Sequence, residues 1–293
     1  MVAIKSFGEA VSFLISNPKV VMIPLIFLLI LAPINAYVQK NNALRSLENL
    51  EKGDIIFEEH GTYEQLSPDQ VRALLIIALL YALLLSAAQY SVTIYAHRKH
   101  LGEALSIGDA LISGLENVIS AFIVTLVSAV ILGLVAIIVA IPFTLIIGVG
   151  IIGGSKTVTI IGMLALLTIE ILALTFFGGA VSVIFPAYVV NGSIRKGVGE
   201  FLVPLRKPKS TFGFGLLLML TVFTLYIVAS ILVFIPLMFS QSFLGLLIGA
   251  FLQAPVMALL HAFTSVASLS FYENLGEELL NQTPSTMTDV RTY

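Results

Sequence analysis

One carboxylate falls where water is scarce. Glu170, in Leu167-Thr168-Ile169-Glu170-Ile171-Leu172, is the only acid or base well inside a long apolar run. An ionised side chain at mid-membrane costs roughly 2.5–3.5 kcal/mol on insertion scales, so it must be protonated, paired or facing water. Its own helix offers no ionisable residue at i±3 or i±4. His261 and Gln89, at broadly similar depth in other apolar runs when counted along a helix, are the available partners. The trio could accept a proton or pair with a cation between helices. The plainer reading is a neutral acid hydrogen-bonded to a neighbouring helix, fixing packing.

A second charged group is basic. Arg195, Lys196, Arg206, Lys207 and Lys209 cluster within fifteen residues. Close to a membrane surface each base gains about 1 kcal/mol from anionic headgroups, so the run is a candidate lipid contact as well as a topology signal. His97 and His100, at i, i+3, flank Arg98 and Lys99, whose charge would repel a metal cation, and no third ligand stands near in sequence. Gly148-Val149-Gly150-Ile151-Ile152-Gly153 fits G-x-G-x-x-G, but a transmembrane run precedes it where a strand is required, so close helix approach explains it better than a nucleotide. No nucleophile elbow, H-E-x-x-H or carboxylate cluster occurs, and enzyme is the least supported class. Cysteine is absent, which removes disulfides and thiol chemistry. No cofactor is expected. With a net charge of -2, a nucleic-acid partner is not expected either.

These residues must be positioned by a chain that is 58% hydrophobic and only 11% charged, with mean hydropathy +1.03, over 293 residues. Soluble domains carry about 25% charged residues, so the solvent here is lipid. Spans of about 20 apolar residues fit six times. Ser6-Phe7-Gly8-Glu9-Ala10-Val11 returns as Ser106-Ile107-Gly108-Asp109-Ala110-Leu111 and, more weakly, at Ser193-Ile194-Arg195-Lys196-Gly197-Val198. Each copy precedes a long apolar run. Phe7, Val11, Leu14 and Ile15 fall on one helical stripe, as do Ile107, Leu111, Leu115 and Val118, then Ile194, Val198, Leu202 and Leu205.

The reading is therefore an all-α polytopic bundle of six spans, with three amphipathic surface helices in a quasi three-fold repeat. Residues 1–275 form a single transmembrane domain with units at about 1–96, 97–190 and 191–275. Ser6 and Ser106 are expected to cap the first two surface helices, each with an acid three residues on. Asn17-Pro18 should start the first span, which the chain is expected to keep. Residues 39–70 are a polar outer loop with three bases and seven acids, and a short helix is expected near 43–52. The second span starts at Ser67-Pro68. The third is expected over 118–141, broken or bent by Pro142, with 143–154 as an outer turn. The fourth, 158–190, is overlong and must tilt or bend. The fifth and sixth cover 212–239 and 243–272, and 276–293 read as a disordered polar tail. With no tryptophan, Tyr37, Tyr95, Tyr188 and Tyr272 are the expected interfacial anchors.

Segments 1–19, 97–116 and 191–209 hold nine Lys/Arg, against five in 39–72 and 153–157. The surface helices and both termini should face the cytoplasm. With the surface helix before each span pair, and with Phe185-Pro186-Ala187-Tyr188-Val189-Val190-Asn191-Gly192 running into Ser193, the chain resembles a loose family of prokaryotic polytopic proteins. Those are similar to the membrane domain attached to some bacterial glycerophosphoryl diester phosphodiesterases. The resemblance implies a six-span module of the prokaryotic cytoplasmic membrane, without the soluble phosphodiesterase domain. The expected function is a non-catalytic integral membrane module engaging lipid or a hydrophobic partner, with a hydrophobic or small-molecule ligand as a further candidate. The rival is an ion-coupled carrier or permease using Glu170.

Overall fold

A computed structural model describes residues 2–51, 68–239 and 242–282. Among these the chain is almost wholly helical and no strand forms. The elements are α1 (Val2–Ser16), a 3-10 turn (Pro18–Val21), α2 (Met22–Glu51), α3 (Pro68–His100), α4 (Ile107–Glu116) and α5 (Val118–Ile152). They continue with α6 (Lys156–Val181), α7 (Ile184–Asn191), α8 (Ile194–Gly199), α9 (Leu202–Leu205), α10 (Pro208–Phe239) and α11 (Phe243–Gln282). Six stretches are long and apolar enough to cross a membrane: Pro18–Val38, Val71–His100, Val118–Ile152, Lys156–Asn191, Pro208–Pro236 and Phe243–Glu278.

Neighbouring spans close a ring, α5 on α6, α6 on α10, α10 on α11, α11 on α2, α2 on α3 and α3 on α5. The short helices gather at one end of that ring. There lies the largest buried cluster, where Phe214 stacks on Phe271 with centroids 4.0 Å apart and Phe7 meets Phe263 edge-on at 4.9 Å. Away from this end the bundle loosens. Only 6% of the most apolar stretch of the third and fifth spans is buried inside the protein, against 44% for the first and 39% for the sixth.

Where helices do meet closely, small residues allow it. A Cβ on Gly215 would overlap the Thr175 carbonyl oxygen, and one on Gly179 would strike the Thr211 carbonyl, so α6 and α10 cross backbone to backbone. Lipid tails give no hydrophobic drive for helix pairing, and close packing of small residues supplies the contact instead. Within Gly178-Gly179-Ala180, Gly179 makes this close approach, whereas a Cβ on Gly178 would meet nothing within 4 Å.

Several local expectations change. α5 runs uninterrupted through Pro142 to Ile152, so 143–154 is mostly helix, not an outer turn. Proline is tolerated within membrane-spanning helices, and here Pro142 costs α5 only one backbone bond, to the Ile138 carbonyl, without ending it. The fourth span does break, at Ser182–Val183, where Ser182 Oγ donates to the Gly179 carbonyl at 2.8 Å before α7 resumes with Pro186 in its first turn. α2 continues as one helix to Glu51 in place of a separate helix at 43–52. The rest of the polar loop, with Ser67, lies outside the described residues, as does 283–293 of the tail; from Gly276 to Gln282 the chain is still α11.

Ser6 caps nothing. α1 begins at Val2, and the buried Ser6 hydroxyl donates to the Val2 carbonyl (3.0 Å) and the Ser270 carbonyl (3.3 Å). Ser106 is a cap, accepting from the Asp109 amide at 3.1 Å. Asn17 closes the helix before it, its side-chain amide donating to the Phe13 carbonyl at 3.3 Å. Tyr95 and Tyr188 are buried in the bundle and so are not free interfacial anchors, whereas Tyr37 is exposed.

Candidate functional site

The short helices and the end of α11 form a polar hub. α11 continues past its apolar stretch because Ser270, Glu273, Asn274, Glu277 and Glu278 each meet a different part of the chain. Glu273 lies between two imidazoles of α3, with Oε1 3.2 Å from His97 Nδ1 and Oε2 2.8 Å from His100 Nδ1. The edge of His100 also meets the Phe13 ring of α1 at 5.3 Å. The buried Asn274 amide donates to Glu9 Oε2 (2.6 Å) and to Ser6 Oγ (3.1 Å). Lys5 Nζ stands 3.3 Å from Glu277 Oε2 and 3.7 Å from Glu9 Oε1. Asn191, at the end of α7, donates to the Tyr272 hydroxyl at 3.1 Å, and Lys207 Nζ lies 3.6 Å from Glu278 Oε1. α11 is thus tied to α1, to the end of α3 and to the segment around α7–α9, while α4 packs on α3.

Between α1, α3 and α11 the hub encloses an open cleft of 450 Å³, walled by Lys5, Glu9, Ser12, His100, Glu273 and Glu277. On α1 these polar residues occupy one stripe. Ala3, Ser6, Ala10 and Phe13 face the bundle, while Ile4, Val11 and Ile15 are exposed on a third side, at 63%, 45% and 76%. The stripe foreseen as Phe7, Val11, Leu14 and Ile15 is therefore divided between protein and surroundings.

The basic cluster lies on the same end. Arg195, Lys196, Arg206 and Lys209 are exposed and make no ion pair among the described residues, while Lys207 is largely covered and faces Glu278. Leu202, between these bases, is also exposed. Gly197 explains how α8 sits so low, since a Cβ there would run into the backbone of Tyr188.

The intramembrane trio is not brought together by any bond. Glu170 is half-buried on α6, which packs along α5 and α10, while Gln89 and His261 belong to α3 and α11. Among the described residues none of the three side chains forms a hydrogen bond or ion pair. No group of three metal-ligating side chains is arranged to hold an ion among them either. The glycines of the G-x-G-x-x-G match lie at the end of α5, where Gly150 lets the backbone of Thr159 in α6 approach.

Sequence reasoning missed Glu273, Asn274 and Glu277 because the last helix was cut short of them. Their spacing carried the signal, since Glu273, Glu277 and Glu278 with buried Asn274 continue the helical period of α11. Among known proteins, no family model, no curated protein and no solved structure matches the chain.

Proposed function

We propose that this chain is a non-catalytic integral membrane module, and that the ring of short helices at one end is a collar that rests in the headgroup layer and engages anionic lipid. The supporting observation is the coincidence of unpaired bases with exposed aliphatics. Arg195, Lys196, Arg206 and Lys209 project beside exposed Leu202. Ile4, Val11 and Ile15 on α1, and Ile112 and Leu115 on α4, extend the exposed apolar rim. Water would disfavour that rim, whereas the boundary between headgroups and acyl chains accepts it.

The three-fold repeat belongs to this reading. Aligned on Ser6, Ser106 and Ser193, the fifth residue of each copy is Ala10, Ala110 and Gly197, small and buried in every case. A small residue at that place lets each short helix lie flat against a span. In this reading the collar and both termini face the cytoplasm of a prokaryotic cell, which the excess of bases in segments 1–19, 97–116 and 191–209 supports.

Lipid retention tests the proposal. In nanodiscs of mixed phosphatidylglycerol and phosphatidylcholine, the protein should enrich phosphatidylglycerol, and replacing Arg195, Lys196, Arg206 and Lys209 by Gln should remove that preference, each base contributing about fivefold. Lys207 stays, because it holds Glu278. Equal retention of both lipids by the unaltered protein refutes headgroup engagement.

A carrier using Glu170 is favoured by one observation, the half-buried carboxylate without a partner among the described residues. That function needs a water path to Glu170. Neither the hub cleft nor the cleft between α2, α3 and α11 is lined by it.

A further inference from the structure

The open cleft of 450 Å³ between α1, α3 and α11 carries both signs of charge, unequally. Lys5 stands against Glu9, Glu273 and Glu277. Glu273 is occupied by His97 and His100, which leaves Glu9 on α1 and Glu277 on α11 sharing the single ammonium of Lys5. Each has an oxygen to spare. Glu9 Oε1 is 3.7 Å from Lys5 Nζ, beyond hydrogen-bond reach, and Glu277 bonds through Oε2 alone among the described residues. The Ser12 hydroxyl, which also lines the cleft, makes no bond among them.

The walls are matched by an apolar flank. On α1, Lys5, Glu9, Ser12 and Ser16 recur at helical spacing along the cleft, while Ile4, Val11 and Ile15 are exposed roughly a third of a turn round the helix. A ligand held by the polar side therefore has aliphatic surface beside it. The volume lies within the roughly 300–1,000 Å³ of small-ligand sites.

We propose that this cleft binds the zwitterionic headgroup of phosphatidylethanolamine, its primary ammonium donating to Glu9 and Glu277, its phosphate facing Lys5 and Ser12, and its acyl chains lying along Ile4, Val11 and Ile15. Charge and donor count select the ligand class. A headgroup of net negative charge would meet walls on which carboxylates already outnumber lysine, and like charges brought together repel. The trimethylammonium of phosphatidylcholine has no N–H to give, whereas a primary ammonium, like that of lysine, has three. Bonds from such a group to a carboxylate are among the stronger hydrogen bonds. The inference rests on the proposed collar lying in the headgroup layer, and adds to it a second lipid site of opposite charge preference.

Native mass spectrometry of protein extracted in detergent from vesicles of equal phosphatidylethanolamine, phosphatidylcholine and phosphatidylglycerol reads the site directly. Phosphatidylethanolamine should be retained roughly tenfold more often than phosphatidylcholine, and stepwise N-methylation of its headgroup should lower retention. Glu9→Gln combined with Glu277→Gln should abolish the preference while leaving phosphatidylglycerol retention at the collar unchanged. Should that pair disturb folding, Glu277→Gln alone, at an exposed side chain, should lower the preference severalfold. Equal retention of phosphatidylethanolamine and phosphatidylcholine by the unaltered protein overturns the proposal, as does a preference indifferent to N-methylation. Release of the retained lipid by millimolar glycerophosphoethanolamine, the same head without acyl chains, would assign the cleft to a soluble amine and also overturn it. Because phosphatidylglycerol is read in the same spectra, failure of the cleft and failure of the collar give different results.

Discussion

Glu273 accepts from two histidines on α3, directly beside the Asn274 contact to α1, and so joins chain segments more than 170 residues apart. Its role follows from a helix that extends beyond its apolar stretch, which composition alone does not mark. Glu170 is the opposite case. Its type and surroundings stand out in the sequence, yet no residue pairs with it among those described. A carboxylate left so is a burden of roughly 2.5–3.5 kcal/mol when ionised, relieved by protonation or by water. For a lipid-engaging module, Glu170→Gln should leave thermal stability in detergent and proton flux into proteoliposomes unchanged, since an isosteric amide replaces a neutral acid. Loss of flux with stability intact would favour the carrier. Side-chain partners across helices were beyond reach of the sequence, because spacing along one helix says nothing of which neighbour turns toward it.

At the scale of elements, glycine decides which helices touch. The α6–α10 crossing at Gly179 and Gly215 admits no Cβ, while Gly133 on α5 meets nothing within 4 Å. Gly215→Ala should therefore lower the detergent unfolding midpoint by the equivalent of about 1–3 kcal/mol, the usual cost of overpacking, because backbone cannot move aside as a flexible side chain can. Gly133→Ala should be neutral or slightly stabilising, since alanine is the better helix former. Equal effects in thermal scans would mean that the crossing is not close. The long apolar runs and most helix starts were legible from hydropathy and capping patterns, as at Ser106 and Pro68. Interruptions were not. Pro142 is absorbed within α5, while the break falls at Ser182, because a membrane-spanning helix tolerates proline and so proline does not by itself dictate where the helix ends.

For the whole molecule, the account depends on which ends of the spans share a side. α5 alone is 35 residues, about 52 Å long at 1.5 Å per residue, against a hydrocarbon core of about 30 Å, so the second hairpin must lean strongly or project. The first span is shorter, Pro18–Val38 with 21 residues. The third and fifth spans bury only 6% of their most apolar stretch inside the protein, so contacts between spans concentrate where the hub gathers them. The six stretches long and apolar enough to cross a membrane were readable because hydrophobic length is a one-dimensional quantity. Their packing order around α11 was not, since apolar residues face lipid and protein alike and period alone does not separate the two. The most direct test uses the absence of cysteine. Single cysteines at Ser12, Glu103 and Gly199 should be labelled by an impermeant maleimide only from the cytoplasmic side of the membrane, and cysteines at Glu59 and Thr157 only from the other. Labelling of any one of the first three from the outer side would contradict a single collar.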